Sequence, residues 1–158
     1  METTFDRIDA GILTALQNEG RLSNKELAAK VGLAPSSCLE RVRRLRETGV
    51  LKGFRAEVSH DAFGIGLQAM VAVRMSRHTV ELVLGFQQEM LKKPEVVGIY
   101  YMAGADDFLV HVAVRDANHL REFILSDFTS RHEVSHVQTN LIYEHRQARE
   151  VPNYRVQP

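Results

Sequence analysis

Two kinds of hydrophobic spacing divide the chain. Ile8, Ile12, Leu13 and Leu16 recur with the period of a single helix face. Asp6 precedes them and Asp9 follows three residues later, so a capped helix start is expected, with Gly20 as a left-handed stop. Ser23 and Glu26 repeat the capping pattern ahead of Leu27, Ala28 and Val31, and Gly32 closes that second helix. Pro35 opens a third helix, running to about Thr48, in which Cys38, Val42 and Leu45 share one face. Residues 50–58 then alternate like a strand or short hairpin. Ser59, His60, Asp61, Gly64 and Gly66 mark residues 59–66 as a linker.

From Leu67 the period drops to two. Leu67, Ala69, Val71, Val73 and Met75 predict a strand with one apolar side. Residues 79–92 read as a helix, with Pro94 just past its end. Val96 to Met102 is a strand, and Gly104-Ala105-Asp106-Asp107 a tight turn. Phe108 to Val114 is a strand with Phe108, Val110, Val112 and Val114 on one side. Asp116 caps a helix over about 117–130, and Val134 to Tyr143 alternates again. This order is the ferredoxin-like βαββαβ arrangement. The expected fold class is α+β: an N-terminal (winged) helix-turn-helix domain over residues 1–58, then a ferredoxin-like domain over 67–145. Residues 146–158 read as a polar C-terminal tail.

Charge sharpens this division. The 158 residues carry no net charge. Residues 1–55, however, hold ten Lys/Arg against seven Asp/Glu, and the remainder ten against thirteen. Within 34–55, six bases (Arg41, Arg43, Arg44, Arg46, Lys52, Arg55) face two acids, Glu40 and Glu47. A local basic stripe matters to a polyanion more than the total, because screening limits attraction to about 10 Å. No apolar run is long enough to span a membrane, and Met1-Glu-Thr-Thr-Phe-Asp is no secretory leader. The single cysteine, Cys38, cannot form an internal disulfide. A cytoplasmic location is expected.

Three short helices with a glycine joint before the third form a helix-turn-helix, whose last helix must keep one face free for double-stranded DNA. Ser36, Ser37 and Glu40 lie on the free face near the N-terminal end, where base edges are read. Arg41, Arg43 and Arg44 follow as phosphate contacts, with Arg43 or Arg44 able to read guanine. Lys52 and Arg55 extend the grip as a wing would. The plainer reading of Glu40 is an ion pair with Arg43 or Arg44 on a solvated face.

Other chemistries lack their residues. His60, His78, His111, His119, His132, His136 and His145 show no zinc spacing, so no metal is expected. Residues 67–143 carry no nucleophile with a plausible base and no nucleotide loop, which argues against an enzyme and a cofactor. Tyr100 and Phe108 lack the interleaved bases of an RNA-binding sheet. The two helices of this fold cover only one sheet face. The other carries Gln68, Met70, Ala72, Arg74, Leu109, His111 and Ala113. A half-apolar face implies a partner, and the simplest is a second copy.

The motif Asp6-Arg7-Ile8-Asp9, then Gly20-Arg21-Leu22-Ser23, Glu26-Leu27-Ala28, Val31-Gly32-Leu33, Cys38 to Leu45 and Gly49-Val50-Leu51-Lys52-Gly53 resembles the leucine-responsive/asparagine-responsive (Lrp/AsnC) regulator family. Gly104-Ala105-Asp106-Asp107-Phe108 is similar to that family's turn between two middle strands. One departure is Ala34, where family members often carry a capping serine. The resemblance implies a transcription regulator forming dimers and often octamers, with an amino-acid effector held at the interface between ferredoxin-like domains. The positions carried over are Tyr101, Gly104, Ala105, Asp106, Asp107, Asn140, Leu141 and Ile142. The alternative is an effector-independent regulator or architectural DNA-binding protein whose second domain only oligomerises.

Overall fold

The computed structural model describes residues 6–154. The reading of the first residues as no leader lies outside the described part. The chain folds as two compact units. Of the described residues, one holds 6–57 together with 146–154, and the other is Val58–His145.

The first unit has three helices, α1 (Arg7–Asn18), α2 (Asn24–Val31) and α3 (Pro35–Glu47). Both expected capping boxes form. Asp6 accepts from the Ile8 and Asp9 amides, and Ser23 accepts from the Glu26 amide while Glu26 reaches back. The glycine joint also forms as expected, with Gly32 left-handed at φ 69°. Gly20 does not take that role, because α1 ends at Asn18 and Glu19 caps it at a negative φ of −137°. Ile12, Leu16, Leu27, Ala28, Cys38 and Leu45 form the core, with Val42 and Leu51 at its margin.

Residues 50–58 form no strand. A strand needs a neighbour for its backbone groups, and the described residues contain one sheet, built wholly in the other unit. Phe54 and Val58 are consequently exposed. The tail belongs with the helices. The Val151 amide donates to Gln17 Oε1 at 2.9 Å, and the Asn18 amide group donates to Glu150 at 2.5 Å.

The second unit follows the expected order. It comprises β1 (Leu67–Met75), α4 (Val80–Met90), β2 (Val96–Tyr101), β3 (Phe108–Val114), α5 (Ala117–Ile124) and β4 (Val134–Ile142). The strands form one antiparallel sheet in the order β2-β3-β1-β4. The linker contains a short 3₁₀ turn at Asp61–Phe63, and α5 continues into a π-helical turn at Leu125–Thr129. Ala69, Val71, Val73 and Met75 pack with Phe108, Val110, Val112 and Val114 beneath Phe86, Met90, Leu120, Phe123 and Phe128. Phe86 and Phe108 lie 4.9 Å apart, ring to ring. Gly66 enters β1 where a side chain could not, since a Cβ there would stand 2.5 Å from the Arg115 carbonyl. Among the described residues, no helix of this unit packs on the opposite sheet face.

Candidate nucleic-acid interface and effector face

The sequence pattern rotates α3 so that Cys38 and Leu45 are buried, which turns Ser36, Ser37, Glu40 and Arg43 to solvent. Leu39 joins them at 58% exposure, an apolar side chain on the free face that charge counting overlooks although it lies three residues past Ser36. Ala34 gives no side-chain cap. Neither Ser36 nor Ser37 replaces it, so the first amides of α3 are open to an incoming acceptor. Asn24 secures this end differently, donating to the Pro35 carbonyl at 2.7 Å.

The arginines divide into two groups. Arg43 is 79% exposed and pairs with Glu47 at 2.8 Å, not with Glu40. Arg41 and Arg44 instead turn toward α1. Asp9, only 1% exposed, accepts from Arg41 at 2.8 Å and from Arg44 at 2.6 Å. Arg41 also reaches Asp6 at 2.7 Å, and the Asp6 amide donates to Asp9 at 3.2 Å. Hydrogen bonds to Asp6 and then Asp9 raise the Arg41 pKa. The Asp9 amide, followed by Arg41, holds the Asp6 carboxyl below the ordinary carboxylate value. Sequence reading treated Asp9 only as a capping residue, because nothing in the spacing of α1 reveals which flank of α3 it meets. Arg46, Lys52 and Arg55 form no ion pair among the described residues, and all three are exposed.

The Gly104–Asp107 turn joins β2 to β3. Asp107 is already engaged, accepting from the Met75 amide and from His78, each at 2.7 Å. Its own amide donates to the Val73 carbonyl. Asp107 therefore holds the end of β1, with one contact on each carboxylate oxygen. Asp106 is less committed, 3.5 Å from Arg74, whose Nε donates to the Ala105 carbonyl at 2.8 Å. Tyr101 is half exposed, its ring 5.1 Å from Phe108. Asn140, Leu141 and Ile142 lie on β4, where Asn140 donates to the Met70 carbonyl at 3.4 Å. The turn meets β1 at its Val73–Met75 end, whereas Asn140, Leu141 and Ile142 pair with Met70, Ala69 and Gln68, so the two groups are about 10 Å or more apart along the strands. One chain does not bring them together. Leu141 and Ile142 instead border a concavity of about 520 Å³ with His60, Asp61, Gln68 and Tyr143.

On the uncovered face, the Gln68 amide bridges two imidazoles. It contacts His60 Nδ1 and His111 Nε2, each at 2.9 Å, and His145 lies edge-on to His111 at 5.9 Å. Burial, followed by the nearby His145 and His60, lowers the pKa of His111. No group of three or more potential ligands able to hold a metal occurs among the described residues. No described helix is long and apolar enough to cross a membrane.

A trihelical reader with a free, base-bearing third helix, joined to a ferredoxin-like unit with one uncovered face, defines a DNA-binding transcription regulator. Residues 5–52 match the model of a winged helix-turn-helix DNA-binding domain, and residues 68–151 that of the Lrp/AsnC ligand binding domain. The chain belongs to the Lrp/AsnC family of transcription regulators, which are not enzymes. It is 42% identical to the HTH-type transcriptional regulator AldR of Mycolicibacterium smegmatis over 89% of this chain and 82% of that protein. It is 33% identical to the leucine-responsive regulatory protein of Rhizobium meliloti, over 87% and 88% of the two chains. A transcriptional regulator of Neisseria meningitidis, solved as a complex with L-methionine, has a TM-score of 0.83 and 32% identity, with coverage of 92% and 94%.

Proposed function

We propose that this chain is a cytoplasmic, sequence-specific regulator whose DNA binding is modulated by an amino acid bound between two copies. The observation that carries this reading is the separation of the two groups toward opposite ends of the strands. Gly104, Ala105 and Asp106 stand against the Val73–Met75 end of β1, with Tyr101 on the far edge strand, and Asn140, Leu141 and Ile142 pair with the other end of β1, so a site using both needs a second chain. The uncovered face supplies the means, since Met70, Leu109 and Ala113, each partly exposed, would remain a partly apolar patch in a monomer. A glycine turn presenting backbone amides suits an α-carboxylate, and Asp106 suits an α-ammonium. The L-methionine complex of the Neisseria regulator supports the choice of ligand class. Ser36, Ser37, Leu39 and Glu40 would face base edges, with Arg43 and Lys52 on phosphate. Higher assemblies, octamers included, would be built from these dimers.

The test is a thermal-shift screen of the twenty amino acids, run alongside sedimentation with and without DNA. A ligand that binds only the folded state raises the melting temperature, and one or a few amino acids should do so in a dimeric or larger species. A monomer at micromolar concentration would refute the shared site. A dimer indifferent to every amino acid would favour the effector-independent reading.

A further inference from the structure

Six basic residues between 34 and 55 suggest a strongly cationic reader, yet the fold neutralises two of them before DNA arrives. Asp6, Asp9, Arg41 and Arg44 form one cluster with two charges of each sign. Its centre is Asp9, the carboxylate buried at the start of α1, with one guanidinium on each oxygen. Arg44 is nevertheless 56% exposed, so it lies at the rim of the surface that α3 presents. A guanidinium there has two competing anions within reach, the Asp9 carboxylate and any phosphate docking on α3.

We infer that Asp9 is a specificity-determining positioning residue, an internal competitor for phosphate that keeps Arg41 and Arg44 off non-specific DNA and fixes the rotation of α3. The chemistry is charge-assisted hydrogen bonding, which a carboxylate and a phosphate oxygen offer alike. Asp9 acts first because it is already in place and already desolvated. Two α3 residues are held, at positions 41 and 44, and two points on one helix fix its roll as well as its distance from α1. Ser36 and Glu40 are thereby aimed outward together. Affinity for any duplex is governed by the number of phosphates neutralised, whereas discrimination is governed by base contacts. Withholding two cations lowers the first without touching the second.

This inference rests on α3 being the DNA-facing helix, and the experiment separates the two. Binding of the full-length protein is measured against salt on two probes. One is a random-sequence 30-base-pair duplex, and the other is the duplex the wild-type protein selects from a random pool. Asp9→Asn should tighten random-duplex binding several-fold at low salt and steepen its salt slope by about 0.9 for each guanidinium released. Preference for the selected duplex should fall. Arg44→Gln alone should leave the random-duplex slope unchanged, because Asp9 already withholds that charge. In the double variant, part of the steepening should disappear. A weaker or unchanged slope in a folded Asp9→Asn protein would overturn the inference, as would a loss of about 0.9 in Arg44→Gln. Should Asp9→Asn lose its helical circular dichroism, Arg44→Gln decides alone. Arg43→Gln is the control. If it leaves affinity and slope on both probes untouched, the DNA-facing assignment of α3 fails instead.

Discussion

The helical unit and the sheet unit use their polar residues in opposite ways. The helical unit satisfies its buried charge internally. Asp9, the one buried carboxylate among its described residues, has a backbone amide and two guanidiniums around it in the same chain. The sheet unit satisfies only one side of itself. Its helix-covered face is a continuous aromatic and aliphatic core, while its other face holds a histidine–glutamine bridge, partly buried apolar side chains and half of a candidate site toward each end of the strands. The contrast assigns the roles. A reader complete within one chain can be duplicated without change, and a sensor incomplete within one chain ties ligand binding to assembly.

The largest predicted effect breaks the self-sufficiency of the reader. Asp9→Ala leaves Arg44 without its carboxylate and Arg41 with Asp6 alone; both guanidiniums reach solvent, so the cost is that of the lost charge-assisted hydrogen bonds, about 1–3 kcal/mol. Urea unfolding followed by helical signal should show that loss for the helical unit, with tertiary signals of the sheet core retained. Next, Leu109→Glu places a charge on the uncovered face. Sedimentation velocity should show the dimer shifted to monomer with little change in the monomer's own fold. Retention of the dimer would place the interface elsewhere.

A smaller effect is tied to pH. The folded value of His111 lies below its ordinary 6.5, first because of burial and then because of His145 and His60. The unfolded chain therefore binds more protons as pH falls through that window. Stability from the neutral ring is complete above about 6.5 and declines below it, toward the lowered folded value. Gln68 is neutral to this, since its carbonyl accepts from His111 Nε2 whether that ring is charged or not. Thermal melts from pH 7.5 to 5.5 should show a loss that His111→Gln reduces. The smallest effect is at the cap. Ala34→Ser should stabilise the helical unit by about 1 kcal/mol, seen as a higher denaturant midpoint.

The same contrast explains what was legible in the sequence. Periodicity identified every helix and all four sheet strands, because each buries one face and the faces repeat at 3.6 or 2 residues. It failed at residues 50–58, where alternation without a partner strand yields only extended chain. Gly20 misled because a glycine permits a left-handed stop without requiring one. Ser36, Ser37 and Glu40 were legible as exposed, since Cys38 and Leu45 fix the roll of α3. The fate of Arg41 and Arg44 was not, because it depends on which part of α1 packs beside them, a contact across more than thirty residues. The partners of Asp107 were hidden for the same reason, since Met75 and His78 are about thirty residues away. Local pattern shows which way a side chain points and is silent about what it meets.

The most direct test of the shared sensor is complementation. Asp106→Ala damages the turn half and Asn140→Ala the β4 half, and each alone should abolish the thermal shift caused by the amino acid that most stabilises the wild type. Unfolded together and refolded as an equal mixture, the two variants form hybrid dimers in which one seam is intact on both sides. The account predicts that a thermal shift returns in the mixture. No recovery, with hybrid dimers shown to be present, would mean that each site lies within a single chain and would contradict it.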